Sequence, residues 1–339
     1  MIYLFFLLIV GVSFSLTFWL RRYALFKNIM DVPNYRSSHV IPTPRGGGVA
    51  MVLSFLVALP TLFFNNIISD TIFYSLFFGS VLIALIGFID DHGHIAARWR
   101  LLGHLVASVW AILWLGGMPP MSIGGFIVSS DFILTGLAIL YLVWMLNLYN
   151  FMDGIDGLAS SEAVAVCVGG AVIYWCLGDL SYAYLPLALA AAVVGFLLWN
   201  FPPAKIFMGD AGSGFLGITL GILSIQAAWV APQLLWSWLI LLGVFIVDAT
   251  FTLLRRLLRG DKVYEAHRSH GYQYASRHYK KHLPVTLGVT LINIIWLFPL
   301  ALLVALDFLD GFWGLVIAYV PVLFLAIKFN SGASEPQVS

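Results

Sequence analysis

Residues 71–100 read TIFYSLFFGSVLIALIGFIDDHGHIAARWR. The first nineteen, 71–89, carry no charge and no proline. At about 1.5 Å rise per residue a helix of that length reaches roughly 28 Å, close to the thickness of a bilayer's hydrocarbon core. The run then stops on two adjacent acids, Asp90 and Asp91, and the basic residues Arg98 and Arg100 follow. A backbone inside lipid must satisfy its own N–H and C=O groups, so an apolar run of this length is read as a helix that crosses the membrane.

Ten further runs repeat the pattern: 2–20, 48–65, 101–117, 132–149, 159–177, 182–199, 214–231, 233–254, 285–306 and 311–327. The chain of 339 residues is 61% hydrophobic and 10% charged, against about 45–50% and 25% for soluble domains. That excludes a water-soluble enzyme, a disordered chain and a secreted disulfide scaffold. The expected fold is all-α, a polytopic integral membrane helical bundle of about 11 transmembrane helices. The first run has no basic residue before it and no clear small-x-small cleavage site, so it is read as a retained span.

Charge sets the direction. With eleven spans, all 17 Lys and Arg fall in alternate loops or after the last span. The other loops hold Asp70, Asp131, Asp179, Asp307 and Asp310 instead. The positive-inside rule makes the basic side cytoplasmic, the N-terminus periplasmic and the C-terminus cytoplasmic. All eight histidines lie on the basic side, with His104 at the mouth of the fourth span. The chain is expected to be one domain, 1–339, with residues 330–339 a disordered tail. Net charge is +1, so no nucleic acid is expected. Cys167 and Cys176 stand in an apolar run without ligand neighbours and are read as packing residues.

The chemistry gathers at the basic side. Asp90 and Asp91 repel each other at the boundary, and either a cation or a division of roles would explain them; the plainer reading is a helix meeting water. Residues 147–160, NLYNFMDGIDGLAS, place Asn147 with Asn150 and Asp153 with Asp156 at spacings of three, which share a helix face. In WNFPPAKIFMGDAGSGFLG, 199–217, Asp210 stands among small residues just before a span. Helix-start N–H groups attract phosphate, and a carboxylate there can hold a metal; a plain N-cap is the alternative. Phe207 can stack on a base or anchor the chain at the interface. Asp248 lies inside a span, either functional or neutralising a basic neighbour. The stretch DKVYEAHRSHGYQYASRHYKKHLP, 261–284, sets His267 and His270 around Arg268. Arg and His there suit phosphate better than zinc, and a basic loop on anionic lipid is the bland alternative. The first loop adds Arg36, His39 and Arg45 before Gly46, Gly47 and Gly48.

In this order, across roughly 20–282, the pieces resemble the polyprenyl-phosphate N-acetylhexosamine-1-phosphate transferases. The resemblance rests on PTPRGGG at 42–48, the acidic pair at 90–91, NLYNFMDGIDGLA at 147–159, FMGDAGS at 207–213 and the histidine loop at 267–270. It implies transfer of a sugar-1-phosphate from a UDP-N-acetylhexosamine to undecaprenyl phosphate, with release of UMP. Mg²⁺ is the implied cofactor, with Mn²⁺ as a substitute. Asp210 matches the metal-binding aspartate, and Asp90 and Asp91 match the acidic pair that deprotonates or positions the lipid phosphate. Asn150, Asp153, Asp156, Asn200 and Phe207 match the uridine site, and His267 and His270 the pyrophosphate and sugar. Asn147 and Arg45 join the substrate-binding candidates.

Two departures stand out. His94 occupies a place where the family often has lysine, and the histidine loop reads His267-Arg268-Ser269-His270. His94 and Arg268 are therefore expected to share phosphate contacts. The HRSH form resembles the branch that starts O-antigen or related surface polysaccharides, with a 6-deoxy sugar such as FucNAc or QuiNAc among the donors. The implied setting is the bacterial inner membrane, with a homodimer admitted. The rivals are a transporter or channel, a CDP-alcohol-type phosphotransferase and a non-catalytic lipid-binding scaffold. Against them, the acids cluster at one face, no inverted repeat is visible, and Ser160 and Ser161 stand where the CDP-alcohol pattern needs Arg.

Overall fold

The computed structural model describes residues 2–33, 38–93, 95–262 and 267–334. Every apolar run is helical: α1 Ile2–Phe26, α2 Gly48–Phe64, α3 Asp70–His92, α4 Ala97–Leu115, α5 Asp131–Met152, α6 Leu158–Leu177, α7 Leu180–Asn200 and α8 Asp210–Val230. Then come α9 Gln233–Leu241, α10 Gly243–Leu258, the short α11 Gly271–Tyr279, α12 Leu283–Ala305 and α13 Gly311–Lys328. The protein is thus a predominantly helical, polytopic membrane protein. Among the described residues eight helices are long and apolar enough to cross a bilayer, or nine if α9 and α10 form one bent span. α2 has only 17 residues, and α4 opens with Arg98 and Arg100.

Three expectations need correction. The run 233–254 is two helices bent by 75°, with Leu242 at the break. In α12 the ladder widens into a π-helical turn, Asn293–Leu297, just before Pro299, which has no N–H to donate. The bundle also carries two small antiparallel pairs: β1 Met30–Asp31 with β2 Thr43–Pro44, and β3 Met121–Ile123 with β4 Phe126–Val128.

The bundle is built around α8. Of its most apolar eighteen-residue window 89% is buried, against 17% for α1. α8 packs on α3, α5 and α9, and α9 and α10 both pack on α13. Exposed leucines and aromatics such as Leu4, Trp19 and Phe132 cover the outside, as lipid-facing surfaces require.

Two ends emerge. At one, Arg21 Nε donates to Lys205 O at 3.1 Å, Asn150 meets Ser213 and Gly332 N–H donates to Ser269 O. At the other, Gln233 Nε2 lies 3.2 Å from Asp307 Oδ2 and Trp229 Nε1 donates to Gly117 O at 3.3 Å. α9 starts at the second end, and α10 finishes at the first beside Ser331 and Gly332. The stretches DGIDG and FMGDAGS therefore emerge at the same end. The expected disordered tail is also corrected in part: Ser331 is fully buried, and residues 335–339 lie outside the described residues.

Candidate active site

The site starts where α3 meets α8. Gly87 lets the two helices touch, since a Cβ there would fall on the backbone of Asp210 and Ala211. Four residues on, the Asp91 carboxylate accepts from Asp210 N at 3.1 Å and Ala211 N at 3.3 Å. Gly209 makes the turn into α8 with φ +79, a left-handed conformation that favours glycine. The next two amides, Gly212 and Ser213, donate to Gly209 O. The helix-start N–H groups are thus occupied by the protein, and the expectation that they attract a phosphate is corrected. A tethered carboxylate meets the same donors and the same positive helix end. Arg45 stands beside it, 3.7 Å from Asp91 Oδ1, and donates to the Asp91 carbonyl.

Asp90 behaves differently from its neighbour. Its Oδ1 accepts from Ile95 N at 2.8 Å, and its Oδ2 lies 2.5 Å from Arg100 Nη1. The same nitrogen stands 3.5 Å from Asp210 Oδ2. Arg100 therefore bridges the two acids across the α3–α4 turn. The Asp210 side chain keeps 36% of its surface exposed while that of Asp91 keeps 4%, so Asp210 is the acid that faces outward.

Asp91, Asn150, Asp153, Asp156, Asn200, Phe207 and Asp210 line one cavity of about 220 Å³, together with Arg45. Asn150 Oδ1 accepts from Ser213 Oγ at 3.3 Å. Asn200 lines the wall with its amide engaged: Oδ1 accepts from Gly157 N at 3.1 Å and Ser160 Oγ at 3.2 Å, and Nδ2 donates to Ile206 O at 3.0 Å. It lines the cavity as the resemblance implied, and it shapes the pocket by fixing α6 and α7. Asn147 is outside the lining; its amide donates back to Val143 O on α5 at 2.7 Å. Phe207 meets His39 edge-on, ring centroids 4.8 Å apart.

The DGIDG turn brings two acids of opposite behaviour. Burial pushes the Asp153 carboxyl well above its usual range, and the charges it meets, Asp210, Asp91 and Asp156, share its sign and push further. Asp156 is also pushed up by burial, but His282 and the Ala204 N–H outweigh that and hold it low. His282 Nδ1 lies 3.0 Å from Asp156 Oδ1, and Nε2 lies 3.0 Å from Ser38 O. Only a protonated imidazole donates from both nitrogens. Burial lowers the His282 pKa, and these partners outweigh it and raise it.

His267 and His270 fall elsewhere. They stack on each other at 4.9 Å, with Phe151 6.0 Å from His270, and neither lines the cavity. Burial lowers each to about 3, so both rings are neutral near pH 7. The expectation that their charge binds phosphate is corrected: burial removes the water a charged ring needs. Arg268 sits in the same loop, and its carbonyl accepts from Arg277 at 3.2 Å. Asp248 caps α11, accepting from Gly271 N at 2.8 Å and Tyr272 N at 3.0 Å. His94 lies outside the described residues. Arg100, His282 and Gln273 join the site unforeseen. Gln273 shows a faint signal, three residues after His270 at a helix start; Arg100 and His282 pair across loops that spacing does not reveal.

Among the described residues no three His, Cys, Asp or Glu side chains converge as a ligand set. The cavity still suits a hard divalent cation, because Asp153 meets only like charges and Asp210 faces outward. Such an ion commonly takes one or two carboxylates and completes its shell with water and phosphate oxygens. Asp210 and Asp153 are the residues that would hold it.

Residues 73–228 match glycosyl transferase family 4. The chain is 31% identical over 256 residues to the "Probable undecaprenyl-phosphate N-acetylglucosaminyl 1-phosphate transferase" of Bacillus subtilis (strain 168), covering 74% of this chain and 70% of that protein. The chain belongs to this family. It is similar to the decaprenyl-phosphate N-acetylglucosaminephosphotransferase of Mycolicibacterium smegmatis, 31% identical over 76% of this chain and 72% of the relative. It is also similar to the phospho-N-acetylmuramoyl-pentapeptide-transferase of Streptococcus pneumoniae serotype 19F, 30% identical over 69% and 74%. The polyprenyl-phosphate N-acetylhexosamine-1-phosphate transferases move phosphosugars onto polyprenyl phosphate, and membership in this family stands against the transporter and CDP-alcohol readings.

Proposed function

We propose that the chain transfers an N-acetylhexosamine-1-phosphate from a UDP-sugar to undecaprenyl phosphate and releases UMP. The observation that carries this is the one cavity lined by Asp153, which meets only like charges, and by Asp210, which faces outward, together with Arg45 and Phe207, at the end of the bundle where the basic loops gather. The setting is the cytoplasmic face of a bacterial inner membrane, crossed eleven times with the N-terminus outside, the bent α9–α10 counted as one crossing. The product starts O-antigen or a related surface polysaccharide. The donor class is UDP-N-acetylhexosamine, with FucNAc and QuiNAc forms included, and the chain works as a homodimer.

A lipid-phosphate oxygen attacks the β-phosphorus of the donor. The new P–O bond joins sugar phosphate to lipid phosphate, and the bond to UMP breaks. A phosphate monoester loses its second proton near pH 6, so at neutral pH the nucleophile is largely dianionic without a strong base. Coulomb repulsion between two anions is then the main barrier, and positioned charge is what lowers it. Arg45, at the cavity wall, supplies fixed positive charge. Asp91 fixes the start of α8, and Arg100 with Asp90 fixes the Asp210 side chain. Phe207 and His39 offer ring faces to the uracil, and Asp156 with His282 forms the polar wall beside it. Mg²⁺, or Mn²⁺ in its place, supplies the charge that neutralises the reacting phosphates when held by Asp210 and Asp153.

The test is purified protein with undecaprenyl phosphate, Mg²⁺ and radiolabelled UDP-sugars in parallel. Label in the organic phase with stoichiometric UMP supports the reading. UMP release without added lipid phosphate, or no labelled lipid from any UDP-N-acetylhexosamine, overturns it.

A further inference from the structure

After α13 the chain turns back onto the histidine loop. The Ser331 hydroxyl donates to Asp248 Oδ1 at 3.0 Å, and its carbonyl accepts from Arg255 Nη1 at 3.0 Å. Gly332 N–H donates to Ser269 O at 2.6 Å, and its carbonyl accepts from Arg259 Nη1 at 2.7 Å. Two residues thus join two positions on α10, and Arg259 at its C-cap, to the loop before α11.

Asp248 is the junction. It is a buried carboxylate that accepts from Thr252 Oγ1 at 3.2 Å as well as from Ser331 and the two α11 amides. A buried charge is tolerated only when its oxygens are hydrogen-bonded. Removing one donor therefore loosens the cap of α11. The start of α11 reaches the reaction cavity by two routes. Tyr272 Oη donates to Phe151 O at 2.8 Å, two residues before Asp153. Gln273 accepts from His270 N at 3.2 Å and lines the cavity itself.

We propose that Ser331 and Gly332 form a strap that positions the start of α11, and through Tyr272 the Asp153 turn, for sugar-phosphate transfer. Ser331 is a positioning residue: it touches no cavity group, and it acts through Asp248. The role rests on the transferase reading above. Among the described residues the hydrogen bonds of Ser331 and Gly332 go to α10 and its C-cap, the end of α13 and the loop before α11 and not to the segment carrying Asn200 and Phe207, so donor binding is left in place.

The experiment compares the full chain with Ser331→Ala, a truncation after Asn330 and a control truncation after Pro336. Turnover with the best UDP-sugar is measured beside amide hydrogen exchange. Ser331→Ala is expected to lower kcat by about tenfold, the loss of one hydrogen bond to a buried charge, with KM for the donor within about twofold and with faster exchange confined to 269–273. The truncation after Asn330 deepens both effects, and the control matches the full chain. Wild-type kcat and unchanged exchange in the truncation after Asn330 would overturn the strap, as would faster exchange spread over the whole bundle. If the full chain transfers no sugar phosphate, the transferase reading fails, and local or absent exchange at 269–273 still decides whether the strap positions α11.

Discussion

Asp91→Asn separates positioning from proton transfer. In the structure each Asp91 oxygen accepts one amide hydrogen bond from the first two residues of α8, in a side chain that is 4% exposed. Asparagine keeps one acceptor oxygen and turns an NH₂ group toward the other N–H. One hydrogen bond to a charged group is lost and one buried donor is left without a partner, about 1.5–3 kcal/mol in all. Asp210 is the first residue of α8, so the start that shifts is the one carrying the metal-binding candidate. If the whole loss appears at the transition state, kcat falls by about tenfold to a hundredfold. The assay is labelled-lipid formation at saturating donor from pH 5.5 to 9. The expected result is a lowered rate with the acidic limb of the profile unchanged, because the nucleophile's own phosphate sets that limb. Loss of the acidic limb in Asp91→Asn would show that Asp91 removes a proton, and a rate equal to wild type would show that the cap does not position Asp210.

Arg100→Gln removes the cation between Asp90 and Asp210; turnover should fall by about tenfold or more, and a fall confined to protein yield would refute the bridge. His282→Ala tests the ion pair with Asp156. The carboxylate's contribution is present above its ordinary 3.8 and lost as pH falls through its lowered folded value. The imidazole's contribution is present below its ordinary 6.5 and lost as pH rises through its raised folded value. Wild type should therefore outlast His282→Ala in thermal inactivation most clearly between about pH 4 and 6.5, and a gap that widened above pH 8 would reverse the sign. His267→Gln should leave the pH–rate profile between 5.5 and 8 unchanged in shape, since burial holds His267 at about 3; a limb near 6.5 that vanished in the variant would show a titrating histidine.

What was legible in the sequence follows from how far each interaction reaches along the chain. The apolar runs were legible because a helix in lipid must satisfy its own backbone, so length and apolarity are enough. The gathering of Asp91, Asn150, Asp153, Asp156 and Asp210 at one end was legible from the alternation of basic loops. The division of labour among these acids was not. Asp91 is a cap because α8, 119 residues on, presents its amides to it. Asp248 looked like an intramembrane charge in search of a function, and its partners are the amides of α11 and a serine near the chain's end. His267 and His270 carry the motif's spacing, but their protonation depends on burial that no spacing reveals. The bend at Leu242 sits inside an uninterrupted apolar run, where hydropathy alone reads one straight span.

The central claim is that Asp210, with Asp153, supplies the carboxylate oxygens that would hold a divalent cation where two phosphates meet. Turnover of purified Asp210→Asn, titrated with Mg²⁺ and set beside wild type of equal yield and helicity, tests it most directly. The expected result is a loss of at least about a hundredfold at every Mg²⁺ concentration. Near-normal rates for Asp210→Asn at ordinary Mg²⁺ would contradict it.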